Sequence, residues 1–225
     1  MTQNTLLTGI LLIASYLMGG IPTGYLIGRL KGIDIRKFGS GNPGTANVYR
    51  TLGAGPGLIT FAADFLKGFI PAWLAIHYYY SEGAVSNSAG HWWIPVAAGG
   101  LAIAGHIWTI FLGFKGGKGV ATAAGVFMAL LPWPTAGAFV FFGLAVAVTH
   151  HISVGSMSAS VVLPVLCLIL NKHPEQKPFT IMAVVVCAII FYTHIPNIRR
   201  ILGGRELSFK HKETGAGEKN KNQTP

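Results

Sequence analysis

The sequence predicts an all-α integral membrane protein: a polytopic bundle of seven transmembrane helices, or five spans plus a re-entrant hairpin, with the N-terminus outside and the C-terminus in the cytoplasm. Three observations carry this. Only 24 of 225 residues are Asp, Glu, Lys or Arg, or 11%, against roughly a quarter in soluble domains. Hydrophobic residues make up 51% of the chain and the mean hydropathy is +0.51, too apolar a composition to clothe a water-soluble globule. Finally, the apolar residues fall into seven runs.

The first run, residues 5–30, is interrupted near its end by Gly19-Gly20-Ile21-Pro22-Thr23-Gly24. It is too long for the core of a signal peptide and lacks a basic start, so it reads as a retained span. Runs at 58–80 and 92–114 follow. Those at 120–131 and 135–148, separated by Pro132-Trp133-Pro134, are short for a bilayer core of about 30 Å; tilted helices or a re-entrant hairpin both fit. Runs at 152–170 and 179–195 complete the set.

A hairpin leaves the sidedness of everything else unchanged, so either count gives one orientation. With the N-terminus outside, 14 of the 17 basic residues face the cytoplasm, only Lys172 and Lys177 lie outside, and Lys67 sits within a span, as the positive-inside rule requires. Residues 1–209 form one membrane-embedded domain, and the polar, basic stretch 210–225 is expected to be a disordered cytoplasmic tail. Cys167 and Cys187 both fall in apolar runs and read as small buried hydrophobes, since two thiols without zinc spacing make no metal site.

The net charge of +10 fits nucleic acid, anionic lipid or a small anionic ligand, and position separates them. The cytoplasmic segments hold more Gly, Asn, Ser and basic residues than loops need. Residues 38–50 read Phe38-Gly39-Ser40-Gly41-Asn42-Pro43-Gly44-Thr45-Ala46-Asn47-Val48-Tyr49-Arg50. Closely spaced glycines let backbone amides converge on an anion, Asn42, Thr45 and Asn47 offer caps or donors, and Arg50 adds a bidentate phosphate donor. A capped Gly-Pro turn is the plainer reading of this segment. In the second segment Gly116, Gly117 and Gly119 surround Lys118 ahead of an apolar helix, so exposed amides, a helix N-terminus and an ammonium meet. It is not a Walker A loop: Leu112 and Gly119 occupy the first Gly and the Ser/Thr positions.

Two further clusters face the same side: Ser153 after His150-His151, and His194 with Asn197, Arg199, Arg200 and Glu206. His194 and Asn197 share a face only if the helix survives Pro196. Asp64 and Lys67, three apart within a run, fit an intramembrane ion pair. The chain has no G-x-S-x-G elbow, no H-E-x-x-H and no His followed five positions on by Asp, which disfavours covalent and metal chemistry.

At these residues the sequence resembles the bacterial acyl-phosphate-dependent glycerol-3-phosphate acyltransferases. The resemblance rests on Ser40-Gly41-Asn42-Pro43-Gly44-Thr45-Ala46-Asn47 with Arg50, on Gly105-His106 through Phe114-Lys115-Gly116-Gly117-Lys118-Gly119, on Ser153, and on His194, Asn197 and Glu206; it runs from about residue 6 to 206. One departure is Thr149-His150-His151, where the family usually has Thr-Arg-aromatic. The resemblance implies seven spans in the bacterial inner membrane, a cytoplasmic-face site, and transfer of a fatty acyl group from acyl phosphate to the 1-hydroxyl of glycerol 3-phosphate, the first step of phospholipid synthesis, giving lysophosphatidic acid and phosphate. It implies no use of acyl-CoA or acyl carrier protein; no cofactor, metal or nucleic acid is expected, and the expected partners are the bilayer, the two substrates and, as a candidate, the enzyme that makes acyl phosphate.

On this reading Ser40, Gly41, Asn42, Gly44, Thr45 and Asn47 bind acyl phosphate. Arg50, Lys118, Ser153, His194 and Asn197 bind glycerol 3-phosphate, and Lys118, His194, Asn197 and Glu206 form the catalytic group. Asp64, Lys67, His106, Gly116, Gly117 and Gly119 support them. Acyl phosphate carries a good leaving group, so orientation and charge stabilisation suffice. The proton of the attacking hydroxyl passes to His194, to Glu206 or to a substrate phosphate, the last being favoured because no base has an evident supporting partner. A transporter for an organic phosphate and a lipid-binding scaffold are the rival classes; the one-sided clustering of motifs and the lack of a repeat speak against the first.

Overall fold

A computed structural model describes residues 3–81, 93–170 and 176–209. The expected tail at 210–225 and the loop residue Lys172 lie outside the described residues. Among these, all regular structure is helical: α1 (Gln3–Gly20), α2 (Thr23–Leu30), α3 (Thr45–Leu52), α4 (Ala54–Ser81), α5 (Trp93–Ile107), α6 (Val120–Leu130), α7 (Pro132–Thr149), α8 (Ile152–Leu170), α9 (Lys177–Thr193) and α10 (Ile195–Leu202), with 3-10 turns at Ile35–Lys37 and Ile110–Leu112.

Every apolar run became a helix. By length and composition four of them can cross a bilayer, and six spans result if α1 with α2 and α9 with α10, bent by 42° and 57°, each count as one. Pro22, which has no N–H to donate, stands at the first bend. α6 has only 11 residues, about 16 Å at 1.5 Å per residue, roughly half the hydrocarbon thickness. α7 is longer than its apolar run suggests. Pro132 and Pro134 interrupt the chain between α6 and α7, yet they occupy the first turn of α7, where a missing N–H costs nothing.

The bundle is apolar outside as well as inside. Ile13, Leu58, Val140, Val148, Leu168 and Ile181 are all large and well exposed, as lipid-facing positions are. Between helices, small residues permit close contact. A Cβ on Gly19 would strike the Ala102 backbone and one on Gly105 the Tyr16 carbonyl, so α1 lies directly on α5; Gly68 against Thr122 and Gly125 against Phe65 do the same for α4 and α6. A core from Ala102, Ile103, Val126, Phe127, Leu131, Cys167, Met182 and Val186 joins α5, α6, α8 and α9, and it confirms Cys167 as a buried hydrophobe.

These contacts position the loops. Thr109 Oγ1 donates to Gly20 O at 2.6 Å and Tyr16 Oη to Trp108 O at 2.7 Å, fixing the chain after α5 to the end of α1. Asp64 and Lys67 form the expected buried ion pair, 2.7 Å apart, and Lys67 Nζ also donates to Ile21 O at the α1–α2 bend at 2.7 Å. His106 Nδ1 lies 3.8 Å from the same Asp64 oxygen.

Candidate active site

The loop after the first 3-10 turn is organised by one buried amide. Asn47 Nδ2 donates to Ile35 O (3.2 Å) and Phe38 O (3.0 Å) while its Oδ1 accepts the Ser40 amide (2.8 Å), so both its donors and its oxygen shape the loop. Gly41, at φ +72°, donates its amide to Phe38 O, and Gly44 donates to Asn42 Oδ1. Three of the glycine-loop amides are therefore engaged within the loop. What it offers outward is the N-terminus of α3 and Thr45 Oγ1, which is buried and has no partner among the described residues. Asn42 Nδ2 reaches Gly116 O at 3.5 Å and links this loop to the second motif.

The second motif differs in detail from the sequence expectation. The Gly116 and Gly117 amides donate to Ile107 O and His106 O, capping α5 rather than facing a ligand. A Cβ at either position would collide with the end of α5, on Gly117 with the His106 imidazole itself. This packing carries the chain to Gly119, which at φ +82° caps the start of α6 and leaves Lys118 beside that helix N-terminus.

Lys118 then meets the third and fourth clusters. Its Nζ donates to Asn197 Oδ1, and its carbonyl accepts from Thr193 Oγ1 at 3.2 Å. Burial, reinforced by Arg200 and Arg50 and opposed by Glu206, lowers its pKa to about 8. Asn197 Nδ2 and Ser153 Oγ both donate to Glu206 Oε1, at 2.6 and 2.7 Å, and Arg200 Nε donates to Oε2 at 2.8 Å. Burial raises the Glu206 pKa, but these three donors outweigh it and the net shift is downward. Its carboxylate is thus a clamp tying α8 to α10. The helix breaks at His194, which lies between α9 and α10 with Pro196 in the first turn of α10, so His194 and Asn197 do not share one helix face; the 57° bend nevertheless leaves both buried and lining the same cavity. His194 Nδ1 lies 2.8 Å from Ile190 O; a carbonyl only accepts, so Nδ1 carries the proton and Nε2 keeps its lone pair.

Sequence reasoning missed the segment after α10. It turns back across the bundle: Arg50 Nε and Nη2 donate to the Ser208 and Leu207 carbonyls, each at 3.2 Å, and the Phe209 amide donates to His150 O at 3.0 Å. It also missed Arg200 as the partner of Glu206, although its place one turn after Asn197 is a usable signal.

One cavity of about 280 Å³ joins these groups. At one end it is lined by Ser40, Asn42, Gly44, Thr45, Asn47, Arg50, Lys118, Gly119, Ser153, His194 and Asn197, with Asp64 and His106 on its wall. It then continues between α6, α7, α8 and α9, past Phe127, Phe139, Phe142, Ala159, Val186 and Ile190. Gly41, Lys67, Gly116, Gly117 and Glu206 stand behind this lining rather than in it. A cationic mouth over an apolar interior suits a ligand with an anionic head and a hydrocarbon chain. Among the described residues no group of three or more His, Cys, Asp or Glu could hold a metal.

Comparisons with known proteins agree. The glycerol-3-phosphate acyltransferase family model matches residues 9–204. A glycerol-3-phosphate acyltransferase from Trichlorobacter lovleyi is 43% identical over 87% of this chain and 94% of its own length, and one from Geobacter sulfurreducens is 42% identical over 89% and 97%. The fold matches the crystal structure of PlsY, an integral membrane glycerol 3-phosphate acyltransferase, in its glycerol 3-phosphate form, with TM-score 0.79 and 38% identity over 89% of this chain and 94% of that one. Its lysophosphatidic acid form matches at TM-score 0.77. The anion-binding motifs, the amphipathic cavity and these likenesses converge: the chain belongs to the glycerol-3-phosphate acyltransferase family, enzymes that work as integral membrane proteins.

Proposed function

We propose that this protein transfers a fatty acyl group from acyl phosphate to the 1-hydroxyl of glycerol 3-phosphate at the cytoplasmic face of a bacterial plasma membrane, as a seven-span protein with its N-terminus outside. The observation that carries it is the cavity in which Arg50 and Lys118 stand over an apolar interior. The charge distribution supports the orientation, since 14 of 17 basic residues fall on one side. α6 counts as a short, buried span in this reading.

The α3 N-terminus, Thr45 and Asn42 cradle the acyl phosphate's phosphoryl oxygens, with Ser40, Gly41, Gly44 and Asn47 maintaining the loop's shape. Arg50 and Lys118 meet the phosphate of glycerol 3-phosphate, and Ser153 and Asn197 complete its site. The 1-hydroxyl oxygen attacks the acyl carbon, the new ester C–O bond forms, and the C–O bond to phosphate breaks, with phosphate departing with its electron pair. The hydroxyl proton goes to His194 Nε2 or directly to a phosphate oxygen. Glu206, with both oxygens hydrogen-bonded, is the positioning clamp in place of the base the sequence left open. Asp64, Lys67 and His106 hold the wall behind the loops.

The test is purified protein in detergent with glycerol 3-phosphate and either palmitoyl phosphate or palmitoyl-CoA. Lysophosphatidic acid from the acyl phosphate alone is expected; product from neither donor sinks the enzyme reading, and product from the CoA ester alone sinks the choice of donor.

A further inference from the structure

The cavity's lining stops partway along α8 and α9, and where it stops can be read from helical spacing. On α8 its lining runs Ser153, Ser156, Ala159, Ser160, Leu163; on α9 it runs His194, Ile190, Val186 with Cys187, then Ala183. Both series keep to one helix face and then stop. The next positions on those faces, Cys167 and Phe179, lie outside the lining, the first in the packed core and the second packed against it. Thr135 and Ala138 of α7 bring that helix to the same level.

We infer that Leu163, Ala183 and Thr135 form a floor that sets the length of acyl chain the protein uses. This rests on the acyltransferase reading above and deepens it. Two helices give the depth independently. From Ser153 to Leu163 is ten residues, about 15 Å, and from His194 to Ala183 eleven, about 16 Å, at 1.5 Å per residue. An extended hydrocarbon advances ~1.3 Å per carbon–carbon bond, so about a dozen methylenes reach the floor. A ten-carbon chain ends above it, whereas the distal carbons of a sixteen-carbon chain press on it. Ala183 is the smallest of the three side chains, and widening it fills space that only the long chain occupies. Leu163→Ala deepens the floor instead. The Ser156 and Ser160 hydroxyls along the way do not interrupt the apolar path, because they donate to the Ile152 and Met157 carbonyls of their own helix.

The experiment measures kcat/KM for decanoyl, palmitoyl and stearoyl phosphate with glycerol 3-phosphate, and reads ratios within each variant. Ala183→Phe is expected to lower the palmitoyl-to-decanoyl ratio at least tenfold, a loss of the size that misfit of a few methylenes produces. Leu163→Ala is expected to raise the stearoyl-to-decanoyl ratio at least threefold. Ratios within twofold of the parent in both variants overturn the proposal; if Ala183→Phe fails to fold, Leu163→Ala decides alone. A second readout is independent of turnover. Cys187 lines the path midway, so palmitoyl lysophosphatidic acid should slow its modification by N-ethylmaleimide at least fivefold while glycerol 3-phosphate alone does not. An unchanged rate means the chain lies elsewhere and overturns the floor. Parent protein that uses no acyl phosphate at all refutes the acyltransferase reading, and the Cys187 labelling then still decides whether the cavity takes an acyl chain.

Discussion

Replacing Glu206 by Ala separates a clamp from a base. The carboxylate accepts from Ser153, Asn197 and Arg200 at 2.7, 2.6 and 2.8 Å, and its own side chain is 2% exposed. Hydrogen bonds to a charged group contribute about 1.5–3 kcal/mol each, and a buried donor left unpaired costs about 1–3 kcal/mol. Ser153 and Asn197 are 3% and 2% exposed and have little recourse to water; Arg200 is partly exposed and recovers some solvation. The two buried donors then set a loss of about 3–6 kcal/mol, against a total of about 5–15 kcal/mol for a typical domain. Glu206→Ala is therefore expected to unfold many degrees lower in detergent, followed by tryptophan fluorescence, and to lose activity with that loss of structure. Glu206→Gln keeps an acceptor for Ser153 and Asn197 but sets an amide against Arg200, so it should lose about half as much stability and retain measurable turnover. Glu206→Ala with parent-like unfolding and a turnover loss confined to kcat would refute the clamp and restore Glu206 as proton acceptor.

Lys118 gives a pH dependence. With its pKa held near 8 by burial, the free protein loses the ammonium as pH rises through 8, so KM for glycerol 3-phosphate should climb above that point. The unfolded chain keeps this proton to about 10.5, so between 8 and 10.5 it binds more protons and this residue makes stability rise with pH while binding weakens; a KM flat from pH 7 to 9.5 would refute the assignment. Lys118→Ala is expected to abolish turnover with the fold intact, judged by gel filtration and unfolding temperature. Gly117→Ala drives a methyl into the His106 ring and should displace the loop carrying Lys118, raising KM for glycerol 3-phosphate tenfold or more in steady-state assays. Asp64→Ala leaves the buried Lys67 ammonium without its carboxylate and should cost about 3–5 kcal/mol, read as a lower unfolding temperature and poor yield.

The sequence by itself determined what depends on local composition and spacing. Apolar runs became helices because burying or lipid-facing segments without charges must satisfy their backbone internally. The Asp64–Lys67 pair followed from a three-residue spacing within one helix, and the clustering of Ser40 to Arg50, Lys118, Ser153, His194 and Asn197 followed from their positions at the ends of apolar runs. The tertiary structure alone decided which of those groups stay available. The Gly116 and Gly117 amides cap α5, Asn47 is taken up by its own loop, and Glu206 stands behind the lining, because their partners lie elsewhere along the chain or in its folded path. Asn42 meets Gly116 across 74 residues and Arg50 meets Ser208 across 158. Such pairings are fixed by how helices pack, and no local pattern records them. The Pro-Trp-Pro stretch makes the same point at short range: proline stops one helix or starts another with equal ease, and only the packing of α6 on α4 and of α7 on α8 determined that here it does both.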